Sequence, residues 1–147
     1  MSTRPRPTAA ELRGFAFLAE LPDHDIELLI DGSRRLQVQP PATVIEQGAA
    51  DDHLFLIVSG QLSAHVDGRQ VALLEAGDPV GELSATPTSH SFTRTATVRA
   101  ETTAELIEIP SELVQQLAAS HPALRAHFAA LRAKRLSFDA LTRHLTP

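Results

Sequence analysis

The sequence predicts a mainly β domain, an antiparallel β-barrel or jelly roll with N-terminal helices and a long C-terminal helix. Three observations predict it. Residues 36–109 divide into seven short apolar or alternating runs separated by Gly, Pro or Asp, a helix-start signal precedes these runs, and helical spacing replaces them after Pro110. The 147 residues are enough for one domain with a sizeable core.

The N-terminal part is predicted to hold a flexible arm and two short helices. Residues 1–10 are polar and contain Pro, which predicts the arm. Thr8 followed three positions later by Glu11 is typical of a capping box and predicts a first helix, with the folded domain counted from residue 11 to 147. A second helix is expected over Asp23 to Asp31.

The central part, about residues 34–110, is predicted to form the barrel. Its runs read LQVQ, ATVIEQ, HLFLIVSG, QLSAHVDG, QVALLEAG, TATVRA and AELIEIP. Asp67-Gly68 has the residues that a tight hairpin needs for positive φ. Alternation at Leu62, Ala64 and Val66 marks one inward face, while residues 54–58 are apolar throughout, as expected for a strand covered on both faces.

Helical spacing returns over residues 111–146. Pro110 precedes the run ELVQQLAAS, and Pro122 suits the first turn of a second, longer helix. One stripe of this last helix is apolar, which favours packing either against the chain's own barrel or against a second subunit: Leu124, Phe128, Leu131 and Phe138.

Composition excludes several classes of function. The formal net charge is −5, which argues against nucleic acid as the main partner, and the last helix carries only a sparse basic set, Arg132, Lys134, Arg135 and Arg143. We expect no further residues for a helix-turn-helix and no DNA partner. No apolar run suits a signal peptide or a membrane span, and Cys is absent. We therefore expect a cytoplasmic protein without a membrane partner.

A candidate anion site lies between residues 81 and 96. Gly81-Glu82-Leu83-Ser84 places flexible backbone before a helical turn, where free N–H groups can receive an anion. Arg94 can pair two guanidinium N–H groups with the same anion, and Thr95 adds a hydroxyl. A buried carboxylate beside an anion needs neutral hydroxyl partners, such as those of a ribose. This combination suggests a nucleotide.

The sequence resembles the cyclic nucleotide-binding domain found in catabolite-activator regulators and in cyclic-nucleotide-regulated kinases and channels. The resemblance covers roughly residues 11–136 and is carried mainly by LEAGDPVGELS and TRTATVRA, which resemble the start and the end of the family's phosphate-binding cassette. It implies a ligand site made of a short list of residues: Gly81, Glu82, Leu83, Ser84, Arg94, Thr95 and Ala96.

The resemblance also implies a role for each of these groups. The amides of Leu83 and Ser84 would hold the cyclic phosphate, Glu82 the ribose 2′-hydroxyl and Arg94 an exocyclic phosphate oxygen. Thr95 would contact the phosphate or the base, so that cAMP and cGMP both remain open, with cAMP preferred. The last helix would cap the base, with Phe128 and Leu131 as candidate caps, or form a homodimer seam.

The chain departs from the family pattern inside the cassette. Val80 stands where an aromatic residue commonly precedes Gly-Glu, Ser84 begins a more polar stretch than usual, and Pro87 interrupts the short helix. The interval from Glu82 to Arg94 is also longer than usual. We expect ligand binding to be retained and its coupling to the C-terminal helix to be weakened.

The function that follows is a stand-alone sensory module that signals to a protein partner, with no cofactor and no enzymatic activity. The main alternative is a protein-interaction module that keeps the fold and no longer binds nucleotide. A third hypothesis is a metal-dependent enzyme of cupin type. His53, His65 and His90 lack the spacing expected of metal ligands, so we expect no metal. No Gly-x-Ser-x-Gly motif supports a hydrolase.

Overall fold

The computed structural model describes residues 6–47, 53–81 and 96–130, together with the backbone of residues 2–4. Within these residues the chain forms mainly antiparallel β sheets with flanking helices, as the sequence predicts. The strands are β1 (Ser2–Arg4), β2 (Arg34–Val38), β3 (Thr43–Ile45), β4 (Leu54–Ser59), β5 (Gln61–Val66), β6 (Arg69–Glu75), β7 (Pro79–Val80), β8 (Thr97–Ala100) and β9 (Ala104–Ile109).

The strands form two sheets, here called sheet A and sheet B. Sheet A has the order β1-β2-β9-β4-β7, and sheet B has the order β3-β8-β5-β6. All described pairs are antiparallel, and the hairpin between β5 and β6 turns at Asp67 and Gly68, whose φ angles are 52° and 82°. The predicted Asp-Gly hairpin is therefore confirmed.

The helices flank the sheets and start where the sequence signals them. They are α1 (Ala9–Arg13), a 3-10 turn (Ala16–Leu18), α2 (Asp23–Gly32), α3 (Ser111–Ser120) and α4, helical over residues 122–130. Thr8 caps α1 as predicted, because its hydroxyl accepts from the Glu11 N–H while the Glu11 carboxylate accepts from the Thr8 N–H.

The N-terminal arm differs from its prediction over residues 1–10. Ser2–Arg4 pairs with β2 as an edge strand, with Thr3 opposite Leu36, and α1 already begins at Ala9. The three residues of this strand are polar, and their pairing with β2 depends on backbone hydrogen bonds, which any residue type can make. A polar tripeptide gives no sequence signal for such pairing.

Two hydrophobic cores lie on opposite faces of sheet A. The inter-sheet core, between sheets A and B, includes Phe55, Ile57, Leu62, Val98 and Leu106. The helical core, between sheet A and the helices, includes Leu54, Leu56, Ile107, Ile109 and residues of α1 to α4. Successive residues of β4 therefore face different cores, and residues 54–57 are all buried, which confirms that this strand is covered on both faces.

Candidate functional site

The predicted ligand residues fall mostly in residues 82–95, which lie outside the described residues. That is the position of Glu82, Leu83, Ser84, Arg94 and Thr95. The structure does describe the two ends of this segment, Gly81 and Ala96. These ends belong to different sheets, because Gly81 follows β7 of sheet A and Ala96 precedes β8 of sheet B. The segment that carries the predicted ligand residues thus connects the two sheets.

The entry end at Gly81 is held by sheet A. Val80 lies opposite Phe55 of β4 and is 2% exposed, so its side chain is part of the inter-sheet core. Two backbone hydrogen bonds hold the turn before β7: the Ile57 N–H donates to the Asp78 carbonyl (3.1 Å) and the Gly77 N–H donates to the Ile57 carbonyl (2.9 Å). The direction in which the chain reaches Gly81 is therefore fixed.

Gly81 itself has a backbone conformation that favours glycine. Its φ is +92°, and a side chain in the left-handed region costs roughly 1–2 kcal/mol. Glycine at this position lets the backbone turn immediately after the strand. The role of Gly81 in an anion site stays a prediction.

The exit end at Ala96 is held by sheet B. Strand β8 lies between β3 and β5, and Ala96 packs against the inter-sheet core. Val98 and Ala100 are buried in the same core, while Arg99 is exposed. The alternation directs Arg99 toward solvent, and it assigns the even positions of this strand to the space between the sheets.

A hydrogen-bonded bridge at the exit end was not predicted from the sequence. The Gln47 N–H donates to the Thr97 hydroxyl (2.9 Å), and the Gln47 side-chain amide donates to Asp67 Oδ1 (2.8 Å). The Asp67 N–H donates back to Gln47 Oε1 (2.8 Å). The bridge connects residues 20 and 50 positions apart, and a lone Gln before a turn gives no motif that could have indicated it.

The histidines of the described residues do not gather around a metal position. Within residues 6–47, 53–81 and 96–130, no group of three or more His, Cys, Asp or Glu could hold a metal ion. His65 is instead hydrogen-bonded to the Ser63 hydroxyl (2.9 Å), which also donates to Glu101 (2.5 Å). His90 lies outside the described residues, and the expectation of no metal stays a prediction.

The structure places Phe128 in the helical core. Its ring is 2% exposed and lies 5.7 Å, centroid to centroid, from the ring of Phe17 in an edge-on arrangement. Val80 and Ala96, in contrast, pack in the inter-sheet core on the other face of sheet A. Phe128 is therefore a core residue in this arrangement. Its role as a base cap stays a prediction that requires α4 to move, and Leu131 lies outside the described residues.

The described residues thus form an antiparallel two-sheet roll, and the segment that begins at Gly81 connects its two sheets. The chain belongs to the cyclic nucleotide-binding domain family, because the family's sequence profile matches residues 35–121, more than half of its length. The family match confirms the resemblance seen in the sequence.

Individual proteins are similar to this chain in sequence or in structure. An uncharacterized protein of Mycobacterium tuberculosis is 53% identical over 55 residues, which are 37% of this chain and 11% of that protein. The catabolite activator protein of Thermus thermophilus is similar in structure, with a TM-score of 0.68 and 26% identity, covering 88% of this chain and 62% of that chain.

A third relative shares the fold over almost its whole length. A cyclic nucleotide-binding protein described as putative, from Geobacter metallireducens, has a TM-score of 0.73 at 17% identity, covering 88% of this chain and 97% of that chain. In contrast, the chain spans about a tenth of the length of the Mycobacterium tuberculosis relative. No helix among the described residues is long and apolar enough to cross a membrane.

Proposed function

We propose that this domain binds a cyclic purine nucleotide at the segment that connects the two sheets. We expect cAMP rather than cGMP to be the ligand. The observation that carries the proposal is the placement of the two described ends of the predicted cassette. Gly81 leaves sheet A and Ala96 enters sheet B; Val80, directly before Gly81, and Val98, two residues after Ala96, are buried in the same inter-sheet core.

The chemistry of the predicted residues fits a cyclic phosphate. A glycine with positive φ allows the amides of Leu83 and Ser84 to turn toward one anion. Arg94 has the same parity as Ala96 and Val98, so an extended chain through Thr95 would direct its guanidinium between the sheets. Such a guanidinium donates two charge-assisted hydrogen bonds to phosphate oxygens.

A carboxylate at Glu82 would complete the recognition of a nucleotide. Next to a bound phosphate it is repelled unless it accepts hydrogen bonds from a neutral donor, and a ribose hydroxyl is such a donor. Free inorganic phosphate has no sugar hydroxyl that could reach Glu82 while the phosphate is held by the amides and Arg94, and so the proposed site favours the nucleotide. The choice of base falls to Thr95, whose hydroxyl can serve adenine or guanine.

We also propose that the module is cytoplasmic and passes occupancy to a protein partner, or to a second copy, through the C-terminal helix. Helix α4 is packed against the helical core through Leu124 and Phe128, so a change at the barrel can reach it through sheet A, which contributes to both cores. We propose no catalytic role, since the matched family is a binding domain.

Calorimetric titration of the protein with cAMP and with cGMP tests the proposed function. Arg94→Ala is expected to weaken cAMP binding by about 2–5 kcal/mol, or roughly 30-fold to several-thousand-fold, because the phosphate loses its buried charged partner. Arg99→Ala is the matched control, since Arg99 is an arginine five positions further along the chain that lies in β8 and faces solvent. Its affinity should stay within about twofold of the wild-type value, as a rim charge contributes little.

Two results would contradict this proposal. Absence of binding by the wild type at millimolar nucleotide would favour the protein-interaction module that keeps the fold without the ligand. Equal losses in Arg94→Ala and Arg99→Ala would show a general electrostatic attraction rather than a buried phosphate contact, because solvent-exposed charges act alike at long range.

A further inference from the structure

We infer that Gln47 is a positioning residue for the ligand site. It fixes Thr97, the first residue of β8, relative to the β5–β6 hairpin, and thereby restrains the point at which the predicted ligand segment joins β8. This inference rests on the proposed function, because its consequence is read through nucleotide affinity. Nothing in the sequence pattern or in the family's cassette assigns a role to this side chain.

The geometry places Gln47 at the junction of three elements. It follows β3, its backbone N–H donates to the Thr97 hydroxyl at the start of β8, and its side chain makes two reciprocal bonds with Asp67 in the hairpin turn, each 2.8 Å long. Gln47 and Thr97 are both half-buried. A side-chain amide that makes both of its polar contacts with one residue is held in a single orientation, and so the bridge is stiff.

The β-ladder stops where this bridge acts. On one side β8 pairs with β5 only as far as Thr97, which lies opposite His65. On the other side its pairing with β3 is irregular between Thr43 and Ile45. Among the described residues, Thr97 is therefore the first of β8 that has a ladder partner, and the hydrogen bond from Gln47 also holds it to the segment that follows β3.

The bridge lies close in sequence to two of the predicted ligand residues. Thr95 and Arg94 lie two and three residues before Thr97. A small rotation at the start of β8 shifts a guanidinium at the end of a long side chain by more than the backbone itself moves. Binding groups lose much of their effect when misplaced by about 1 Å, so loosening the bridge should weaken nucleotide binding.

Two substitutions cut the two halves of the bridge separately. Gln47→Ala removes both bonds to Asp67 and keeps the backbone bond to Thr97, whereas Thr97→Val removes only that bond and keeps a β-branched residue in the strand. Each is expected to weaken cAMP binding about 5- to 20-fold in calorimetry. The double variant should lose less than the product of the two effects, since both break one connection.

A rebuilt pair separates positioning from simple loss of contact. Gln47→Glu places a carboxylate against Asp67 and should weaken binding, while the double variant Gln47→Glu/Asp67→Asn restores a donor opposite an acceptor and should return the affinity to within about threefold of wild type. Asn also tolerates the φ of 52° at position 67. Gln61→Ala, which removes a 3.5 Å contact to Glu75 elsewhere on sheet B, is the matched control and should leave the affinity unchanged.

The outcomes separate this inference from the proposed function. If the wild type binds neither nucleotide, both are overturned. If the wild type binds and Arg94→Ala loses affinity, but Gln47→Ala and Thr97→Val lower only the midpoint of thermal unfolding, then the inference alone is wrong. Failure of the Glu/Asn pair to recover affinity also overturns it, because a positioning contact must be restored when its geometry is restored.

Discussion

Two glycines with positive φ differ in what surrounds them. Gly60, between β4 and β5, has a φ of +92°, and a Cβ placed there would lie 2.5 Å from the Thr103 carbonyl oxygen and 2.6 Å from Ala104 Cα. Gly68, in the hairpin, has a φ of +82° and has no atom within 4 Å of such a Cβ. The first position therefore needs glycine for conformation and for space, and the second for conformation alone.

This difference predicts unequal costs for the same substitution. Gly68→Ala should lower the free energy of unfolding by about 1–2 kcal/mol, which is the cost of a side chain in the left-handed region. Gly60→Ala should lose that amount and about 1–3 kcal/mol more, because backbone atoms cannot move away as a flexible side chain can. Urea unfolding measures both variants. Equal losses would show that the contact with residues 103–104 does not restrict position 60.

At the same scale, the sequence predicted the single-residue features that depend on local chemistry. The capping box at Thr8 and the turn at Asp67 follow from residue type, and the structure agrees with both. Gln47 could not be predicted, because its partners are distant in the chain and glutamine has no turn or cap preference strong enough to mark it.

Among the elements, regular patterns were predictable and short pairings were not. All seven predicted runs contain strands of the structure, since alternation and turn residues define them. Strand β7 has only two residues, Pro79–Val80, which is too short for any period, and it pairs with β4 through the backbone. Yet β7 fixes the backbone directly before Gly81. The strand with the weakest sequence signal therefore positions the start of the predicted ligand segment.

Substitutions in helix α4 test whether Phe128 is a core residue or a side chain that is free to cap the base. Phe128 is buried against Phe17, and so Phe128→Ala should lower the free energy of unfolding of the nucleotide-free protein by about 3–5 kcal/mol, the usual loss for a buried Phe. His127→Ala is a suitable control, since His127 contacts the same rings, that of Phe17 at 4.9 Å and that of Phe128 at 5.9 Å between centroids, but is itself exposed. Its loss should be about 1 kcal/mol or less.

Urea unfolding without ligand and calorimetry with cAMP, made on the same variants, distinguish the two roles of Phe128. A large loss of stability combined with an unchanged affinity identifies a core residue only. A loss of stability below about 0.5 kcal/mol, typical of a surface position, would contradict the packing of α4 described above.

For the whole molecule, the important feature is that one segment connects the two sheets and carries the proposed phosphate contacts. The entry end is fixed by β4 and β7 in sheet A, and the exit end by β3, β5 and β8 in sheet B. A nucleotide bound by backbone amides of the entry side and by a guanidinium of the exit side would add a further connection between the two sheets.

Such a ligand should stabilise the molecule as one unit. With cAMP at about 100 times its Kd, linkage gives about 2.7 kcal/mol of added stability. For a domain of this size each kcal/mol raises Tm by roughly 2–4 °C, so a rise of about 5–11 °C is expected. Arg94→Ala at the same cAMP concentration should retain about 0.9 kcal/mol of this stabilisation or less, because a loss of affinity of about 30-fold or more brings the nucleotide to about three times the new Kd or below.

Hydrogen exchange tests the bridging itself. If the nucleotide joins the sheets, cAMP should slow amide exchange in β4 of sheet A and in β5 and β8 of sheet B by similar factors, because opening either sheet then requires release of the ligand. Protection limited to one sheet would mean that the nucleotide contacts only one end of the segment. The rise in Tm would then come from that sheet alone, and the second sheet would have no part in recognising the phosphate.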